Sequence, residues 1–152
     1  MAALLAVLLA VLVLAGLWAF LRTRLILVTV QGGSMLPSLR PGDRLLVLRR
    51  PGHVPRPGSV VLLTPPTTAT EDGTRLRVKR LAAGPGDPVP ATLAGVAGLR
   101  VPAGQVLVTG DHPRSEDSRR WGPIPARSLI GTCHRIGRTP PSPAGHRSAS
   151  RR

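Results

Sequence analysis

The chain has 152 residues, enough for one small domain or for one domain with an anchor, and this length excludes a large multidomain enzyme. Gly and Pro number 17 each, which disfavours a helical bundle, and the single cysteine, Cys133, excludes an intrachain disulfide. The formal net charge is +14, but hydrophobic residues make up 42% of the chain and apolar runs recur along it, which argues against a wholly disordered basic chain.

Ala2 to Leu21 is an uncharged run of Ala, Leu and Val with Trp18 and Phe20 near one end. As a helix it spans about 30 Å, the thickness of a bilayer hydrocarbon core. A cleaved secretory signal is the main rival reading, but it calls for a charged start, a shorter apolar core and a small-x-small cleavage site. A membrane anchor fits better. Arg22 and Arg24 end the run, and the positive-inside rule then places the following domain in the cytoplasm.

Short strands follow, bounded by turn residues. Leu25 to Val30, Arg44 to Leu48, Ser59 to Leu63, Arg75 to Ala82, Gln105 to Thr109 and Leu129 to Ile136 are the predicted strands. Gln31-Gly32-Gly33-Ser34, Pro41-Gly42 and Gly84-Pro85-Gly86-Asp87 read as turns, 64–73 as a polar loop and 88–104 as a hairpin or loop. Gly110 to Gly122 is a polar segment. The expected organisation is an anchor over 1–22, one small, mainly β domain over 25–137, and a basic Pro/Ser/Arg tail over 138–152 without fixed structure.

Twenty of the 21 basic residues are Arg, and Lys79 is the only lysine. Chance explains this as well as function does. The functional reading is that a desolvated lysine can become a neutral base, which arginine cannot. Ser34 directly follows two glycines at a strand end. That leaves its hydroxyl accessible and its neighbouring N–H groups free to cradle an oxyanion, although an ordinary Gly-Ser turn has the same local sequence. Serine needs a base, and a neutral lysine can serve if its pKa falls from about 10.4 toward neutrality. Val78 and Leu81 offer apolar surroundings, whereas the effect of Arg77 and Arg80 cannot be assigned, since adjacent strand residues face opposite sides. Asp111-His112 suggests a Ser-His-Asp site, but triad members are brought together by the fold and His112 reads as a loop residue. The segment 110–122 holds three of the seven acids, and Asp117 with Arg119 offers an ion pair that would fix a loop. The four His, at 53, 112, 134 and 146, have no metal-ligand spacing.

Taken together, Gly33-Ser34-Met35-Leu36-Pro37-Ser38-Leu39 with Pro41-Gly42-Asp43, Arg56-Pro57-Gly58-Ser59-Val60-Val61, Val78-Lys79-Arg80-Leu81 with Gly84-Pro85-Gly86-Asp87, and Gly110-Asp111 through Asp117-Ser118-Arg119 to Trp121-Gly122-Pro123-Ile124-Pro125 resemble the type I signal peptidases. These are membrane-anchored Ser-Lys endopeptidases, and the resemblance covers about residues 28 to 132. It implies an antiparallel β domain in which Ser34 is the nucleophile, Lys79 its general base and the Ser34 N–H part of the oxyanion hole. Ser115 would orient the lysine, and Asp117 with Arg119 would support the site. Val28, Val30, Met35, Leu39 and Val78 would contact substrate, in pockets admitting small side chains at −1 and −3. No cofactor or metal is implied. The partners would be precursors bearing signal peptides, and membrane lipid, with the domain extracytoplasmic, against the Arg22 and Arg24 signal. Gly32 departs from members that carry a hydroxyl there, His112-Pro113 replaces more usual polar residues, and Arg77 stands where an apolar pocket residue is common.

Two other readings compete. One is a specialised maturation protease of the same superfamily with one dedicated substrate. The other is a basic, membrane-tethered binder of nucleic acid or anionic lipid. Scattered arginines and one aromatic in the domain argue against specific nucleic-acid binding.

Overall fold

Ala2–Arg24 forms a single helix, α1, with none of its side chains buried. It is long and apolar enough to cross a membrane. The helix runs to Arg24 rather than ending with the apolar run, because cations are favoured in the last helical turn, where carbonyls lack partners. Leu25 then turns directly into the first strand. The computed structural model describes residues 1–66 and 76–138. The tail expected over 138–152 lies outside the described residues except for Arg138, and the loop expected over 64–73 is described only to residue 66.

Seven strands make one antiparallel sheet among the described residues: β1 (Leu25–Thr29), β2 (Asp43–Arg49), β3 (Val60–Leu63), β4 (Arg77–Ala83), β5 (Gln105–Thr109), β6 (Ile124–Pro125) and β7 (Leu129–Arg138). Their order is β1-β2-β7-β3-β4-β5-β6. The mainly β expectation is met, and every predicted strand is present within a few residues of its expected bounds. The two-residue β6 was not expected, because a pair containing Pro125 carries no period. It pairs with Gln105 and Val106 at the sheet edge, where proline's missing donor is tolerated.

The patterning follows from position in the sheet. Strand β2 alternates, with Asp43, Leu45 and Val47 buried. Central β3 is an unbroken apolar run and is buried almost throughout. Val30, Met35, Leu39, Leu45, Val47, Leu62 and Cys133 form one core cluster, and Val61, Leu63, Leu81, Val106, Val108, Ile124 and Leu129 form a second. Fully burying each such Val or Leu side chain contributes about 1.5–3 kcal/mol. The stretch expected as a hairpin or loop closes with a Pro88–Arg100 bridge and buries Leu93 and Val101 against Ala83 and Leu107.

Two features fix β7 in the middle of the sheet. Buried Asp43 accepts from Arg138 Nε at 2.8 Å. The Arg40 N–H, followed by the Arg138 guanidinium, holds its carboxyl below the usual value. At Gly131 a Cβ would collide with the Leu48 carbonyl. Gly131→Ala is therefore expected to destabilise the fold by about 2–4 kcal/mol, read as a lower urea midpoint with an unchanged m-value.

Candidate active site

The loop between β1 and β2 carries Ser34. Reciprocal backbone bonds between Val30 and the 42–43 turn close its base, with Val30 N–H donating to Asp43 O at 2.8 Å and Gly42 N–H to Val30 O at 3.0 Å. Within it, Leu36 N–H donates to Gly33 O and Leu39 N–H to Met35 O, which winds the chain tightly around Met35. Met35 is 1% exposed, so the residue after Ser34 is anchored in the core while Ser34 stays partly exposed. Neither the Ser34 N–H nor its hydroxyl has a hydrogen-bond partner among the described residues.

Lys79 lies in mid-β4, opposite Val61 of β3. It shares the buried face with Leu81 and Ala83 and is itself only 1% exposed. A buried lysine needs a partner, and Lys79 Nζ donates to Ser115 Oγ at 2.6 Å. The Trp121 ring centroid lies 5.8 Å from the same nitrogen. Burial pushes the ammonium down to about 8, with Arg77 and Arg119 adding to the fall and Asp117 and Glu116 opposing it. Residues 77 and 79 are both on the wall of the same cleft, so the undecided effect of Arg77 is a depression of the lysine.

The segment 110–122, expected as a polar stretch, is a pinned loop ending in a short helix, α2 (Ser118–Trp121), capped by Asp117. Asp117 is fully buried. Its carboxylate accepts from Gly110 N–H at 2.7 Å and from both Nε (2.9 Å) and Nη2 (2.6 Å) of Arg119. Burial pushes this carboxyl up, but the Arg119 side chain and the Gly110 and Arg119 N–H groups hold it below the ordinary range. Arg119 also donates to the carbonyls of His112 and Pro113. The loop then touches the serine segment directly, since His112 N–H donates to Ser34 O at 3.1 Å. Gly110 sits at this crossing, and a Cβ there would collide with the Ser115 side chain and the Ser34 carbonyl.

Two cavities meet at Ser34. The first, about 460 Å³, is walled by Ser34, Lys79 and Ser115 together with Arg77, His112 and Arg114. The second, about 370 Å³, is walled by Val28, Val30, Met35, Leu62, Val78 and again Ser34 and Arg77. The family model described as "Signal peptidase, peptidase S26" matches residues 1–97 and 90–136. The chain belongs to this signal peptidase family. A "Probable signal peptidase I-1" from Synechocystis sp. is 31% identical, over 67% of this chain and 65% of the relative. The chain thus spans a little under two thirds of the length of that relative.

Among the residues singled out from sequence, Ser34, Lys79 and Ser115 share one cleft, and Val28, Val30, Met35 and Val78 line the adjoining one. Leu39 lines neither. It is 6% exposed and belongs to the core cluster around Met35. Asp117 and Arg119 stand behind the cleft as supports of its loop. His112 lines the first cavity, with its Nδ1 accepting from Arg114 N–H at 3.2 Å. Asp111 is held instead by Arg80, through bonds of 2.8 and 2.6 Å. Asp111 and His112 therefore do not form an orienting pair. Two neighbours escaped sequence reasoning, Trp121 beside Lys79 and the Arg80–Asp111 pair. Both depend on contacts between β4 and the loop after β5, and no local pattern signals them. Cys133 is buried and its thiol is pushed up to about 12 by that burial, which leaves it inert.

Proposed function

We propose that this signal peptidase family member is a membrane-anchored serine endopeptidase acting through a Ser34–Lys79 dyad. In this reading it removes N-terminal signal peptides from exported precursors after small residues at −1 and −3. The observation that carries this reading is a buried lysine, with a pKa depressed to about 8, on the wall of the same cleft as an accessible serine hydroxyl. An ordinary surface lysine would be almost wholly protonated at neutral pH and unable to accept a proton.

Neutral Lys79 has two N–H donors and one lone pair. One donor is engaged by Ser115 Oγ, which limits rotation of the amine and leaves the lone pair for Ser34. As Ser34 Oγ bonds to the scissile carbonyl carbon, its proton passes to Lys79 Nζ. The carbonyl oxygen takes the negative charge and meets the Ser34 N–H. The C–N bond then breaks, the amine takes the proton from Lys79, and an ester to Ser34 remains. Water, deprotonated by Lys79, attacks that ester and frees the serine. Val28, Val30, Met35 and Val78 receive the small side chains at −1 and −3. With exported precursors as substrates, the β domain lies on the extracytoplasmic side, opposite to where Arg22 and Arg24 alone would put it.

The test is cleavage of a precursor carrying an Ala-x-Ala site by the full-length protein in detergent. Cutting after the second Ala is the expected result. A folded protein that leaves this bond intact overturns the reading in favour of a dedicated substrate.

A further inference from the structure

We propose that the Arg114 side of the catalytic cleft is a binding subsite for acidic side chains in the first two residues after the scissile bond. The proposal rests on the reading of Ser34 and Lys79 given above. Gln31, Ser34 and Arg77 line both cavities. A substrate with its −1 and −3 side chains in the apolar cavity and its carbonyl at Ser34 must leave through the other one.

That exit is cationic. Arg77 and Arg114 line it, and Glu116 is the one acid on its wall. Glu116 is already engaged, with Arg120 Nη1 at 2.5 Å from its Oε1. Two other arginines of this region also have carboxylates, Arg80 on Asp111 and Arg119 on Asp117. Arg114 differs. Its backbone N–H serves His112 Nδ1, but its exposed side chain has no hydrogen-bond or ion-pair partner among the described residues.

The position of Arg114 is fixed even though its head is free. The carbonyl of Pro113 before it is held by Arg119, and the hydroxyl of Ser115 after it is held by Lys79. The side chain thus starts from a pinned backbone on the cleft wall, and a guanidinium there favours a planar carboxylate. Lysine or arginine in the same substrate positions meets like charge, which discriminates against it.

The experiment uses full-length protein in nonionic detergent at low salt, with three peptides that share an Ala-x-Ala site and carry Asp-Asp, Gln-Gln or Lys-Lys after it. The kcat/KM values are expected to fall in that order, with about tenfold between the extremes, a range suited to exposed charge pairs. High salt compresses the range. Arg114→Gln reduces it to about threefold and Arg114→Glu reverses the order. Matching thermal unfolding of both variants shows that the loop is retained. Equal cleavage of the three peptides by the wild type overturns the subsite and leaves the proposed activity standing. A preference unchanged in both variants overturns the assignment to Arg114. Cleavage of none of the three overturns the proposed activity itself.

Discussion

Replacing Lys79 with Met is expected to lower kcat for precursor cleavage by about 10⁴- to 10⁶-fold and to leave the fold in place. Ser34→Ala is expected to do the same, since the members of a nucleophile–base unit fail together. Methionine keeps an unbranched stem of similar length and fits irregular apolar space, beside Leu81 on the strand and near Trp121. What it removes is a proton acceptor and a buried ammonium. Ser115 Oγ would lose its 2.6 Å bond to Nζ and keep only a long contact of 3.5 Å to the Glu116 carbonyl, a loss of about 1 kcal/mol. Relief of the desolvated charge works the other way. Thermal unfolding of the Met variant is therefore expected within a few degrees of the parent. Lys79→Arg keeps the charge and removes the base, but it forces a larger, permanently protonated group into a site that is 1% exposed. It confounds lost chemistry with lost stability, so Met is the cleaner substitution. Activity of the folded Met variant within tenfold of wild type would remove Lys79 from the mechanism.

Legibility in the sequence followed the range of the interactions. The N-terminal helix was readable because twenty uncharged residues in a row carry no helix breaker but one glycine, and only its last residues were missed. The strands were readable because Gly and Pro bound each apolar run. The cleft was legible in its parts: an accessible serine after two glycines, a lone lysine, and an Asp117–Arg119 ion pair. Their convergence was legible only through the family resemblance and not from local pattern, because Lys79 and Ser115 are 36 residues apart and meet only through the β4–β5 pairing, which aligns Arg80 with Thr109. The same pairing carries Asp111 to Arg80 and Trp121 to Lys79. Leu39 shows the opposite failure. The family resemblance implied a place at a substrate pocket, but the tight turn around Met35 sets Leu39 in the core.

Cleavage is expected to rise with pH along a lower limb centred near 8, falling about tenfold per unit below it and about 100-fold by pH 6. The sign follows from the mechanism, since only neutral Lys79 can take the Ser34 proton, and the fraction in that form drops as protons bind. The position follows from the surroundings. Burial dominates, the cations of Arg77 and Arg119 favour the neutral amine, and the carboxylates of Asp117 and Glu116 oppose it. Glu116→Gln should therefore move the limb to lower pH, and Arg77→Gln should move it to higher pH. Stability carries the same signature. In the unfolded chain the lysine titrates near 10.4, so between about 8 and 10.4 the unfolded state binds more protons than the folded one. Stability then rises with pH across that window, by up to about 1.4 kcal/mol per unit from this group. Below pH 8 both states are protonated, so the slope from this group disappears and the cost of the buried ammonium is borne in full. The Lys79→Met variant should lose the slope. Urea unfolding of wild type and variant at pH 7.5 and pH 9.5 measures it, and parallel behaviour of the two proteins would mean that Lys79 is not desolvated in the folded state.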